Sequence, residues 1–366
     1  MATNPSSITP GALPDDHSPA AVIAHALAGW DTDGKAALAT VVRTWSSAPR
    51  RPGSQMAINA SGASLGSLAG GTVEAQVVTA ALAAMADGEV RTLTLQVDDE
   101  QAQGAGMPCG GHVDIRIEPL YEEPFGNVPL LREVLHAIEV RRSVVLCTRL
   151  SDANRMLIPV DEPADTELSV EAGRAAAVDT TWVADIEKEP VLFQVFNAPV
   201  RLLVVGAVHI AQALVPAARL VGFEVTVIDP RAAFASEQRF PGVPLIVDEP
   251  SLALRLAGLD RRCAVIALSH DSEIDDAALI KALRSKAFYV GALGRRKTHK
   301  ARLKRLHDAK LTPALTARLH GPAGLGIGAI GPAEIAASIV AQVIAVLRGK
   351  LDRVEEQLGE AEPAAE

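Results

Sequence analysis

Only three of the 366 residues are cysteine: Cys109, Cys147 and Cys263. Three scattered thiols make neither a disulfide scaffold nor a four-ligand structural zinc site, and they suit a reducing compartment, so a cytoplasmic protein is expected. Aromatic residues are also scarce, at 3%, which argues against a nucleic-acid reader that works by stacking bases. Positive charge is in deficit, with 35 basic residues against 44 acidic ones and a net charge of −9. Bulk attraction to polyanions is thereby opposed, although a local anion pocket is not. No apolar run approaches the roughly 18 residues of a membrane span. The opening residues, Met1–Ala20, lack the basic-then-apolar pattern of a secretory signal.

The chain does have aliphatic bulk. Hydrophobic residues make up 48%, and the length suits two domains. The polar, Pro- and Ser-rich segment 1–20 reads as a disordered tail. Residues 21–198 read as an N-terminal α+β domain with two glycine-rich loops, 62–71 and 101–111. Within it, 124–198 carries the weakest pattern. From 199 to 350 the pattern changes to short apolar runs ending in Gly, Asp or Ser-His-Asp, each followed by a helix. That order specifies a Rossmann-like, doubly wound parallel sheet. An acidic tail, 351–366, is expected to fray. The expected class is α/β, with an α+β domain preceding a doubly wound one.

The candidate sites lie in the loops. Gly206-Ala207-Val208-His209-Ile210-Ala211, between an apolar strand and a helix, nearly matches a dinucleotide fingerprint. Asp229 lies about 20 residues on, where an acid can bind a ribose hydroxyl. Val208, however, replaces the middle glycine, and its Cβ obstructs the usual pyrophosphate approach, so NAD(P) is not expected. The helix start still offers free N–H groups to another anion. His209, Ser269-His270-Asp271 and the basic run from Arg295 fall at strand ends of the same sheet, where a ligand crevice forms. The histidines could bind a ligand or move protons, and Arg295 and Arg296 could clamp a phosphate. The alternatives are a structural cap and a solvated helix face. In the first domain, the loop through Gly70 and Gly71 can form an anion nest. Thr72 can instead cap the next helix, with Glu74 in its first turn. Cys109 sits in Pro108-Cys109-Gly110-Gly111, where small neighbours and free N–H groups favour a thiolate. Cys147 and Cys263 lie in apolar strands and read as packing residues.

Several segments, in order, resemble the XdhC/CoxI family of xanthine dehydrogenase and CO dehydrogenase accessory factors. They are Ser46–Met56 with Arg50 inside it, Gly66–Glu74, Cys109-Gly110-Gly111, Gly206–Ala211, Asp229-Pro230-Arg231, His270-Asp271, Tyr289-Val290-Gly291, and Gly324–Gly328 followed by Pro332–Ala336. The resemblance covers about 36–120 and 200–348. Thr72 stands where the family often has a second cysteine, and Val208 where it has glycine.

The resemblance implies a molybdenum cofactor (molybdopterin) chaperone without turnover chemistry of its own. Such a protein assists sulfuration and hands the cofactor to an apo molybdenum hydroxylase, with a cysteine desulfurase as a further partner. On this reading Cys109 is a soft ligand of the bound molybdenum or a sulfur relay. Arg50, Gly70, Gly71 and Glu74 complete the first-domain site, and Gly206, His209, Asp229, His270 and Arg295 line the Rossmann crevice. Two rival readings stand beside it: an NAD(P)-linked oxidoreductase, and a ligand-free docking scaffold. A homodimer is expected, partly from the apolar face of Ile335, Ile339, Val343 and Val346.

Overall fold

The computed structural model describes residues 18–46, 50–68, 71–97, 111–122, 126–162 and 165–360. Residues 1–17 of the expected tail, Gly70 and Cys109 lie outside this set. The chain divides into two compact units, the first ending at Ala198 and the second beginning at Pro199.

The first unit contains two antiparallel sheets. Strands β1 (Ala36–Ser46), β2 (Gln55–Asn59), β3 (Ser64–Gly66), β4 (Arg91–Val97) and β5 (Gly111–Pro119) form a sheet of order β3-β2-β1-β5-β4. Helix α1 (Pro19–Asp33) precedes it, started by Ser18, whose hydroxyl accepts the Ala21 N–H at 3.2 Å. Helix α2 (Gly71–Asp87) covers one face, where Ala37, Ala39, Ile58, Ile115 and Ile117 meet Val77 and Ala81. The opposite face, with Ala36, Leu38 and Ala57, meets α1, helix α3 (Asn127–Glu139) and the second sheet. Burial on both faces explains why β1 reads as an almost unbroken small-apolar run.

The second sheet comes from the segment with the weakest sequence pattern. Strands β6 (Val144–Arg149), β7 (Arg155–Pro159), β8 (Trp182–Ile186) and β9 (Glu189–Phe196) pair in the order β7-β6-β9-β8, with helix α4 (Glu167–Ala177) against them. The β8–β9 hairpin turns through Glu187 and Lys188, at φ 52° and 69°. Two left-handed residues make a primed turn, which normally announces itself as Asn-Gly. A charged pair carries no such signal.

The second unit is built on a six-stranded parallel sheet of order β12-β11-β10-β13-β14-β15. Its strands are β10 (Arg201–Val205), β11 (Glu224–Ile228), β12 (Leu245–Ile246), β13 (Cys263–Ala267), β14 (Tyr289–Ala292) and β15 (Leu319–His320). Helices α5 (His209–Leu220) and α10 (Pro332–Leu347) cover one face. Helices α6 (Pro250–Ala257), α7 (Ser272–Leu283), α8 (Arg296–Asp308) and the short α9 (Pro313–Thr316) belong to the other side. Ile335, Ile339, Val343 and Val346 all pack into the core shared with α5. That face covers the sheet of its own unit, so it carries no argument for a homodimer.

Two further details depart from the sequence reading. Leu351–Glu360, expected as a frayed tail, is a helix, α11, on which Leu351, Val354 and Leu358 are half-buried at helical spacing. The Tyr289-Val290-Gly291 segment has a packing explanation. Tyr289 is fully buried and donates to Gln342 Oε1 at 2.8 Å. A Cβ on Gly291 would lie 2.5 Å from the Tyr289 hydroxyl, so the glycine makes room for the ring.

Candidate functional site

Strand order reverses between β10 and β13, and the turns after these two strands meet at the carboxyl edge of the sheet. Gly206 has φ 105°, and a Cβ there would lie 2.5 Å from the Ser269 nitrogen. The first glycine of the near-fingerprint is therefore required by the neighbouring turn, whatever binds outside it. Val208 stands at the start of α5 with no side-chain cap, and His209 opens the helix with its side chain exposed. The first N–H groups of α5 are thus not satisfied by Val208, as an anion site requires.

Asp229 follows β11 and is fully buried. Its Oδ2 accepts the Ala207 N–H at 2.8 Å. Arg231 donates to both carboxylate oxygens, from Nε and Nη2 at 2.8 Å each, and its backbone N–H reaches Oδ1 at 2.9 Å. Burial alone would raise the Asp229 pKa. The Arg231 guanidinium and the two backbone N–H groups outweigh it and hold the carboxyl below its usual range. The acid that sequence spacing offers to a ribose is thus fastened to its own glycine turn.

The turn after β13 is also held by side chains. Ser269 Oγ donates to Asp275 Oδ1 at 2.6 Å, and the Ser269 N–H reaches the same oxygen at 3.1 Å. Asp271 caps α7 by accepting the Glu273 N–H at 2.9 Å. Between them His270 adopts φ 62°, uncommon outside glycine, with its side chain exposed.

The basic run separates into two faces. Arg295 is the N-cap of α8, and Arg295, Arg296, Lys297, Lys300 and Lys304 are exposed. Arg302, one turn and a half further, is 3% exposed. Its Nη2 donates to Leu293 O at 2.9 Å and lies 3.6 Å from Asp275 Oδ2. Its Nε and Nη1 are buried without a hydrogen-bond partner. Burial pushes the Asp275 carboxyl up, against the pull of Ser269 and Arg302. It pushes His299, beside Arg302, down.

The sequence points to His270 within Ser269-His270-Asp271 and to Arg295 and Arg296 within the basic run, and it marks no inward-facing role for Ser269, Asp275 or Arg302. The signal for Arg302 was its spacing from Leu303 and Leu306, which mark the buried face of α8. In the loop after β15, Ile327 is 51% and Ile330 88% exposed.

In the first unit, Glu74 lies in the first turn of α2, and its Oε1 accepts from Ser67 Oγ at 2.9 Å and Leu68 N–H at 3.3 Å. It ties the small-residue loop to the helix. The helix begins at Gly71, so Thr72 falls inside it rather than at its cap. Arg50 is exposed. Cys109 and Gly70 lie outside the described residues, and so does the expected molybdenum contact through Cys109. Among the described residues, no group of three or more His, Cys, Asp and Glu is placed to hold a metal ion. No helix among them is long and apolar enough to cross a membrane.

These features define a two-unit α/β protein whose C-terminal part is a Rossmann domain with an altered dinucleotide turn. Residues 202–343 match the XdhC Rossmann domain, and residues 29–97 match the XdhC and CoxI family. The chain belongs to the XdhC/CoxI family. It is 28% identical over 326 residues to a probable xanthine dehydrogenase subunit of Bacillus subtilis, covering 85% of this chain and 92% of that protein. It is 27% identical over 342 residues to the molybdenum cofactor insertion chaperone PaoD of Escherichia coli, covering 91% and 90%. A crystal structure described as a xanthine dehydrogenase from Bacillus halodurans superposes with a TM-score of 0.65 at 26% identity, covering 90% of this chain and 96% of that one.

Proposed function

We propose that this protein binds molybdenum cofactor as cargo, presents it for sulfuration by a cysteine desulfurase, and delivers it to a cytoplasmic molybdenum hydroxylase of the xanthine dehydrogenase type. It carries out no turnover of its own. The observation that carries this reading is likeness over 91% of the chain to a relative named as a cofactor insertion chaperone.

The site chemistry agrees. Molybdopterin is anionic through its phosphate. His209, His270 and Arg295 are exposed after adjacent strands, beside the start of α5. Arg302 lies buried next to Asp275, with two unpaired N–H-bearing nitrogens. Within the first unit, the proposed cofactor-binding residues are Cys109, a soft sulfur suited to molybdenum, with Arg50, Gly70, Gly71 and Glu74. The rival NAD(P)-linked reading is disfavoured by Val208 and by the engagement of Asp229 with Ala207 and Arg231.

The test is purification from a host that makes the cofactor, followed by molybdenum and pterin analysis and by reconstitution of an apo-hydroxylase. Bound pterin with molybdenum, and faster reconstitution than with free cofactor, are expected. Cofactor-free protein that leaves reconstitution unchanged would overturn the reading. Stoichiometric retention in the finished hydroxylase would favour a permanent structural role instead.

A further inference from the structure

The layer between the two sheets of the first unit changes character along its length. At one end Ala36, Leu38, Ala57, Leu146 and Phe196 pack together. Two residues along, the same faces of these strands turn polar, at Thr40, Gln55, Thr148 and Gln194, and β5 adds Arg116 and Glu118. Strand pairing sets them at two successive levels, with Glu118 opposite Leu38. Thr40 lies opposite both Gln55 and Arg116, Leu146 opposite Gln194, and Thr148 opposite Arg155. Gln55, Arg116 and Gln194 are only 5–6% exposed. Four strands of two sheets exchanging apolar for polar side chains within two buried levels is costly unless the groups are matched.

They are not fully matched. Arg116 Nε donates to Glu118 Oε1 at 2.7 Å, and Arg155 donates to the same oxygen. Arg116, Glu118 and Arg155 are the charged residues lining the cavity here, and together they leave one positive charge in excess. Gln55 Oε1 and Gln194 Nε2 are buried without a hydrogen-bond partner. Gln55 Nε2 contacts Thr40 Oγ1 at 3.2 Å. A hydroxyl can donate as well as accept, so turning the Gln55 amide preserves that contact and frees an N–H for the cavity. The cavity measures about 20 Å³, room for one occupant near the size of water.

We propose that this chamber binds a small monovalent anion of halide size, held by the charge of Arg116 and Arg155 and by the side-chain N–H groups of Gln55 and Gln194. A water molecule would satisfy the two amides but leave the buried charge unmatched. The proposal is independent of the cofactor reading.

All three tryptophans, Trp30, Trp45 and Trp182, lie in this unit, so tryptophan fluorescence reports its unfolding in the intact protein. The experiment compares thermal midpoints in sodium chloride and sodium gluconate at equal ionic strength. Chloride should raise the midpoint by about 2–5 °C per tenfold concentration above its Kd. Bromide should replace it, and sulfate should not. Gln194→Glu places a fixed carboxylate in the chamber and should abolish the chloride dependence. Should that variant not fold, excess ³⁵Cl line broadening by the parent protein, reversed by bromide and absent in Gln194→Leu, tests the same point. Equal midpoints in chloride and gluconate, the result expected of bound water, would overturn the proposal. So would a chloride dependence or line broadening unchanged by substitution at Gln194.

Discussion

Asp229 grips Ala207: one carboxylate oxygen accepts the Ala207 N–H at 2.8 Å while Arg231 holds both oxygens from the other side. Two turns of the parallel sheet are thereby tied together through a fully buried charge. Asp229→Asn keeps the shape and removes the charge. We expect a loss of about 2 kcal/mol in stability of the C-terminal unit, moderated because Arg231 is partly exposed. The folded carboxyl has a depressed pKa, so its stabilisation is complete above the unfolded value near 4 and is lost as pH falls through the folded value. Urea unfolding followed by circular dichroism should show the gap between parent and variant closing below about pH 4. A gap that widens on acidification would contradict this assignment.

The second expectation concerns Gly206. Alanine there adds a Cβ 2.5 Å from the Ser269 nitrogen, on a residue at φ 105°. Either effect is costly, and together they should destabilise the C-terminal unit by roughly 3 kcal/mol or more. A Gly206→Ala protein as stable as the parent would show that the two turns separate more easily than their packing implies.

NAD and NADP should bind weakly, with Kd above about 10 μM, or roughly −7 kcal/mol. Val208→Gly should not rescue binding, because Asp229 remains engaged with Ala207 and Arg231. Calorimetry on parent and variant distinguishes the two obstacles. Tight NAD binding by Val208→Gly would make Val208 the whole barrier.

The two cysteines among the described residues, Cys147 and Cys263, are buried. Burial pushes the Cys147 thiol up to about 12. Cys263 rises to about 11 through burial and through donation to the Asp260 carboxylate at 3.1 Å. Neither should react at neutral pH, since the thiolate is the reactive form. Alkylation of the native protein should therefore modify Cys109, with Cys147 and Cys263 following only after denaturation. Peptide mapping that finds Cys147 or Cys263 labelled first would refute this ordering.

The parallel sheet was legible in the sequence because its central strands β10 and β13 are buried on both faces. Arg201–Val205 and Cys263–Ala267 are apolar runs closed by Gly and Ser-His-Asp, and the alternating Glu224–Ile228 closes on Asp. The positions of His209, His270 and Arg295 at one sheet edge followed from the same punctuation. What the sequence could not display was which polar groups turn inward. Asp229 has the spacing of a ligand-binding acid, and only the approach of Ala207 and Arg231 makes it internal. The alternation His112-Val113-Asp114-Ile115-Arg116-Ile117-Glu118 reads as a strand with one wet face. Packing of a second sheet, from the segment with the faintest pattern, is what buries Arg116 and Glu118. Strand period is a local property of the chain, whereas the dielectric around a side chain depends on residues brought to it from far along the sequence.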